Sequence, residues 1–146
     1  MKGSDAVKVM KGMMEALETQ DFEKAASFFT TDLVYEDLPS GHVWRGVKEY
    51  LEVAKAIRHS FPDRTWEMKS SFSDGKYIAT ESVWSGTFTH SDDPEKPATG
   101  KYVSGQCVSI TELRDGKICR NRDYYDNFTF MQQLGLLPEM KPRELI

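Results

Sequence analysis

Apolar residues near the start of the chain return every three or four positions, at Val7, Met10, Met14 and Leu17. This spacing predicts an amphipathic helix beginning near the cap candidates Ser4 and Asp5. A second, short helix is expected from Asp21 to Phe29, capped by Asp21 and carrying Phe22, Ala25, Ala26 and Phe29 on one side. Leu33-Val34-Tyr35-Glu36-Asp37 reads as a strand ended by the turn Pro39-Ser40-Gly41, after which Trp44-Arg45-Gly46 leads into a third helix. That helix carries Val47, Tyr50, Leu51, Ala54, Ile57 and Phe61 and is stopped by Pro62.

From Arg64 onward the residues become β-branched and aromatic, broken by turn signals, and predict four strands in antiparallel sequence. Ser73-Asp74-Gly75 joins the first two, the second running from about Lys76 to His90. The polar loop Ser91 to Gly100 leads to a third strand, Lys101 to Leu113, and Arg114-Asp115-Gly116 to a fourth, Lys117 to Phe128. A helical turn from Phe130 to Leu134 closes at Gly135, and the tail after Pro138 is expected to be loosely held. Helices first and long strands later argue for one α+β domain over residues 1–146, with a curved antiparallel sheet wrapped around the N-terminal helices.

Strand register follows from the last hairpin. Taken as a three-residue loop with Gly116 in the left-handed region, Arg114-Asp115-Gly116 pairs Leu113 with Lys117. Cys107 then opposes Asp123, Ser109 opposes Asn121, Thr111 opposes Cys119, and all six share one face. A two-residue loop would instead turn Asp123 toward Val108. On the preceding strand, alternation puts Ile78, Thr80, Ser82, Trp84, Gly86 and Phe88 inward.

Composition narrows the function classes. A net charge of -4 with interleaved signs gives no reason to seek nucleic acid or anionic lipid. No stretch approaches the ~20 apolar residues of a membrane span and no leader is evident, so a cytoplasmic location is the expectation. Cys107 and Cys119 fall about four residue pairs apart, roughly 13 Å, and read as free thiols. His42, His59 and His90 lack metal-ligand spacing, and neither a phosphate loop nor a nucleophile elbow occurs, so no metal or cofactor is expected.

Several pieces occur together: Gly86-Thr87-Phe88-Thr89-His90, Ala98-Thr99-Gly100-Lys101, Arg114-Asp115-Gly116-Lys117-Ile118, Arg122-Asp123-Tyr124-Tyr125-Asp126 and Gln133-Leu134-Gly135. With Tyr35-Glu36-Asp37 and the helix starting at Gly46, their order and spacing resemble the SnoaL-like proteins over nearly the whole chain. The resemblance implies the nuclear-transport-factor-2-like fold, a cone-shaped α+β barrel that takes a hydrophobic small molecule, and a homodimer paired through the convex side of its sheet. Ketosteroid isomerase, limonene epoxide hydrolase and binding modules without chemistry share that fold, which therefore does not settle function.

A carboxylate held in an apolar cavity has its charged form disfavoured and can exchange protons near neutrality. Asp123 matches the acid/base aspartate of SnoaL-type cyclases; the alternative is an aspartate paired with Arg122 or Arg120, or capping a loop. Asp37 is similar to the proton-shuttling aspartate of ketosteroid isomerase, or else belongs to a solvated strand end. Family positions turn Tyr35 inward beside Asp37. Tyr35, Trp44, Trp84, Phe88 and Phe130 are expected to wall a flat ligand or simply to form core, with Cys107, Ser109 and Asn121 on the face of Asp123. The cyclases' pocket histidine falls at Ser109 and their glutamine at Cys107, and the oxyanion hole of ketosteroid isomerase is absent. The reading is a cofactor-independent isomerase, cyclase or hydrolase acting on a small hydrophobic carbonyl, ester or epoxide, with a non-catalytic ligand-binding module as the alternative.

Overall fold

The computed structural model describes residues 1–138; the tail expected to be loosely held beyond Pro138 lies outside them. Helix α1 (Gly3–Glu18) buries Ala6, Met10, Met13, Met14 and Leu17 along one side. Its first turn already contains Ser4 and Asp5, so neither is the cap, and Asp5 instead meets the positive end of the helix dipole. Helix α2 (Phe22–Ala26) is capped as expected, Asp21 accepting a hydrogen bond from the backbone of Lys24. It is shorter than expected because Phe29, buried against the core, opens strand β1 (Phe29–Asp37) instead of closing the helix. The turn at Pro39–Gly41 folds the chain back into β2 (His42–Arg45), a strand where spacing predicts only the approach to a helix. Helix α3 (Val47–Ser60) follows from Gly46.

Strands β3 (Thr65–Ser73), β4 (Tyr77–Thr87), β5 (Tyr102–Arg114) and β6 (Lys117–Tyr125) form the antiparallel run expected, and α4 (Asn127–Leu134) ends at left-handed Gly135. The six-stranded sheet has the order β2-β1-β6-β5-β4-β3. It is curved but not closed into a barrel, since β2 and β3 are its two edges. One junction departs from the antiparallel expectation: β1 and β6 run parallel, with Tyr35 beside Asn121 and Asp37 beside Asp123.

The inward set on β4 is as alternation required, with Ile78, Thr80, Ser82 and Phe88 all buried. Leu33, Ile78 and Ile118 are fully enclosed between the sheet and the helices. A second cluster of Phe61, Phe88, Val103 and Leu134 seats α4 against the far end of the sheet. Gly86 belongs to that end, where a Cβ would stand 3.1 Å from the Phe61 Cβ. A side chain there would lift the end of α3 off the sheet.

The β5–β6 hairpin corrects the expected register. Arg114 pairs with Lys117 across a two-residue turn whose central residues, Asp115 and Gly116, both have positive φ. That is the primed-turn geometry matched to strand twist. Alone it would have turned Asp123 outward. The pairing then skips Cys119, because Leu113 faces Ile118 but Glu112 faces Arg120. This one-residue bulge restores the face, and Ser109, not Cys107, lies opposite Asp123, while Cys107 faces Tyr125. Replacing Gly116 by Ala, which must hold a left-handed conformation, is expected to lower stability by about 1 kcal/mol. Asp115→Asn, which suits the same turn, should leave the urea midpoint unchanged or slightly higher.

Candidate active site

A cavity of about 290 Å³ lies between the helices and the inward face of the sheet. Met10, Met14, Leu17, Trp66, Trp84 and Phe130 give it a largely apolar wall, interrupted by Tyr35, Asp37, Ser109, Asp123 and Tyr125. Strand alternation explains this cluster. Tyr35 and Asp37 are two apart on β1, Asp123 and Tyr125 two apart on β6, and the parallel pairing sets the strands side by side.

The two tyrosine–aspartate pairs cross between the strands. Tyr35 Oη on β1 donates to Asp123 Oδ2 on β6 at 2.6 Å, and Tyr125 Oη on β6 donates to Asp37 Oδ2 on β1 at 2.9 Å. Asp123 Oδ1 accepts from Ser109 Oγ at 2.7 Å and from Asn121 Nδ2 at 2.8 Å. Asn121 is itself oriented by Thr111, whose hydroxyl donates to its Oδ1 at 2.6 Å. Asp123 is packed around by protein yet keeps some accessible surface, and because it lines the cavity that surface is within a ligand's reach.

Burial pushes the Asp123 carboxyl above its ordinary pKa, and the nearby charge of Asp37 adds to this. The three hydrogen bonds from Tyr35, Ser109 and Asn121 oppose the shift by favouring the anion, but burial is the larger effect. Tyr35 is held protonated by its own burial and by the adjacent Asp123, and it stacks on Tyr50 with ring centroids 4.1 Å apart. Burial likewise raises Tyr125, helped by its bond to Asp37. The Cys107 thiol is pushed up to about 12 by burial and by Asp123, so at neutral pH it is a thiol and a poor nucleophile. Both cysteines are free, and no group of three His, Cys, Asp or Glu among the described residues is placed to hold a metal ion.

Of the residues singled out from the sequence, Tyr35, Asp37, Trp84, Cys107, Ser109, Asp123 and Phe130 line the cavity. Three do not. Phe88 stacks behind Phe61, its ring centroid 5.5 Å away, in the second core cluster. Trp44 leans on the outer side of Tyr35 toward His42, since β2 is an edge strand beyond the cavity. Asn121 is buried behind Asp123 and acts on it rather than on the cavity. The sequence reading passed over Tyr125, whose signal was present in its two-residue spacing from Asp123. It also treated Tyr50 as ordinary helix core and overlooked Arg58 and Arg64, all three of which line the cavity.

A curved sheet folded over helices around an apolar cavity, with a carboxylate inside, is the nuclear-transport-factor-2-like fold. The family model described as SnoaL-like polyketide cyclase matches residues 7–134, and the chain belongs to that family. Among solved structures, AclR from Streptomyces galilaeus is similar at a TM-score of 0.81 and 19% identity, over 99% of this chain and 93% of that one. IdmH from Streptomyces antibioticus gives 0.75 and 26% identity over 89% and 98%. An LEH-like epoxide hydrolase of M. tuberculosis gives 0.73 and 20% identity over 90% of each. Comparison with curated proteins gives no match.

The raised carboxyl has a consequence for stability. A group whose folded pKa lies above its unfolded value contributes fully below the unfolded pKa, and that contribution is lost as pH rises through the folded one. Wild type should therefore lose stability relative to Asp123→Asn as pH rises from below about 4 toward neutrality. Thermal melts of the two proteins across that range should show the variant gaining on wild type as pH rises.

Proposed function

We propose that this chain is a cofactor-independent enzyme that uses Asp123 for general acid/base catalysis on a small hydrophobic carbonyl, ester or epoxide compound. The observation that carries the reading is a carboxylate largely withdrawn from bulk water, lining an apolar cavity and fixed by Tyr35, Ser109 and Asn121. In the isomerase or cyclase form, Asp123 takes a proton from a carbon next to a carbonyl and the electron pair of that bond moves onto the carbonyl oxygen. The carbon then attacks or is reprotonated, and the proton held by Asp123 returns to the product, so nothing is consumed. In the hydrolase form Asp123 takes the proton from water as the water oxygen bonds to the ester carbonyl carbon or an epoxide carbon; the C–O bond there breaks, and Asp123 returns the proton to the oxygen that leaves.

Asp37 and Tyr125 form the second half of the site. The Tyr125 hydroxyl, which burial keeps protonated, donates to Asp37 and would have to turn from it to meet an oxygen on which charge develops. Membership in a family of small-molecule cyclases, with an epoxide-hydrolase-like structural neighbour, supports this class of reaction.

The second reading, a binding module of the same fold, draws on a specific observation. Both Asp123 oxygens already accept hydrogen bonds, an arrangement that also serves a purely structural anion. Turnover decides between the two. Screening lactones, enones and epoxides should identify a substrate on which Asp123→Asn loses at least about 100-fold in kcat, within the range of acid/base catalysis. Full activity in that variant removes Asp123 from the mechanism. Tyr35→Phe deletes a bond that favours the anion, so the acid limb of its pH–rate profile should move to higher pH, because activity needs the deprotonated carboxylate.

A homodimer through the outer face of the sheet is also proposed. Val108 and Tyr124 stand near each other on that face and are exposed, as are Phe72 and Tyr102, and a sheet with apolar residues turned to water invites a second copy. Light scattering should give twice the monomer mass in solution, and Tyr124→Lys with Val108→Lys should halve it.

A further inference from the structure

The cavity has a second polar end, opposite in sign to the first. Arg58, near the end of α3, and Arg64, just before β3, both line it. Sheet register places the two ends apart. Asp123 faces Ser109 on β5, while Gly105 on the same strand faces Trp84, whose partner Trp66 lies two residues beyond Arg64. Ser109 to Gly105 is four residues, or ~13 Å of strand. Tyr50 is pushed up to about 12 by burial and then by the charge of Asp123, while its bond with Tyr35 and the charge of Arg64 act the other way.

The arginines are charged beyond what their neighbours balance and bonded less than their chemistry allows. Glu18 at the end of α1 is the carboxylate against them, 3.8 Å from Arg58 Nη2 and 3.6 Å from Arg64 Nη1. Two guanidiniums and one carboxylate leave a net charge of +1. Those separations are too long for hydrogen bonds, and Arg58 Nη2 and Glu18 Oε1 are buried without a hydrogen-bond partner among the described residues. The bond the cluster does make runs from Arg58 Nη1 to the Arg64 carbonyl at 3.0 Å. Arg58 is enclosed, its side chain 13% exposed, so an unspent donor there is costly unless something occupies it.

We infer that Arg58 and Arg64 are the seat for a carboxylate on the ligand, whose apolar body fills the cavity toward Asp123. This rests on the functional reading above and adds to it the substrate class, a hydrophobic acid, and its direction of entry. An anion is repelled by the Asp37 and Asp123 end and attracted to the arginines, so charge alone orients the ligand with its reacting part near Asp123. A guanidinium suits the task because its planar fork can hold both carboxylate oxygens.

Calorimetric titration at neutral pH with 2-naphthoate and its uncharged near-isostere 2-naphthamide tests this. Wild type should bind the naphthoate about tenfold more tightly, as charge-assisted hydrogen bonds require. Arg58→Met should bring the two affinities together while leaving naphthamide binding little changed. Glu18→Gln, which frees positive charge without altering shape, should widen the preference, and this opposite sign keeps the test decisive if the arginine variant fails to fold. The preference should persist in Asp123→Asn. Equal affinities in wild type, or a preference unmoved by Glu18→Gln, overturn the inference while leaving the acid/base role of Asp123 to stand on its own turnover result.

Discussion

The parallel contact between β1 and β6 is the constraint on which the site depends. These strands lie far apart in sequence, yet their register sets Asp37 directly beside Asp123 and lets each accept a hydrogen bond from the tyrosine of the other strand. Two carboxylates side by side in an apolar setting repel each other and each loses hydration. The crossed tyrosines offset part of that cost with neutral donors that burial keeps protonated, so the pair is tolerated without a cation between them. A slip of one residue in β1 would turn both Tyr35 and Asp37 to the outer face and leave Asp123 one donor short.

Much of this was legible in the sequence because a period of two survives small errors. The alternation on β4 assigned Ile78, Thr80, Ser82 and Trp84 inward, and the structure agrees. For Asp123 the expected three-residue loop and the observed two-residue turn plus bulge have the same parity, so the face was right while the partner changed from Cys107 to Ser109. Nothing at Cys119 announces a bulge: it is neither glycine nor a turn former, and the skipped residue is fixed by the need to keep both Ile118 and Asn121 inward. Hairpin logic links only neighbouring strands, so spacing gave no sign of the β1–β6 contact, and the family resemblance supplied only the inward turn of Tyr35 and Asp37. Arg58 and Arg64 were missed for a different reason. Charged residues on a helix face and after a proline turn read as solvated, and it is the packing of α1 against β3, with Glu18 at its end, that encloses them.

Trp44 and Phe88 illustrate the limit of aromatic residues as a signal. Both stand in β-rich stretches, and in sequence they are indistinguishable from Trp84. What separates them is position in the sheet: Trp44 sits on an edge strand and Phe88 past the point where α3 ends and Phe61 fills the space. Burial of an aromatic ring follows from alternation, but whether the buried ring meets ligand or core is decided by elements distant in the chain.

Ser109 and Cys107 stand where the resemblance places the histidine and glutamine of the cyclases, and the exchange alters what the remaining acid must do. An imidazole titrates near neutrality and can pass a proton to or from a carboxylate of ordinary acidity. A serine hydroxyl cannot; here it donates to Asp123 and favours the anion. The Cys107 thiol, raised to about 12, gives no substitute relay. On the proposed function, acid/base work in this cavity would therefore fall to the carboxylates themselves, and burial that raises a carboxyl makes it the stronger base. Enclosure of Asp123 raises its basicity, while its three donors oppose that shift. Depth and hydrogen bonding act in opposite directions on one group, and their balance sets the pH at which it can exchange a proton.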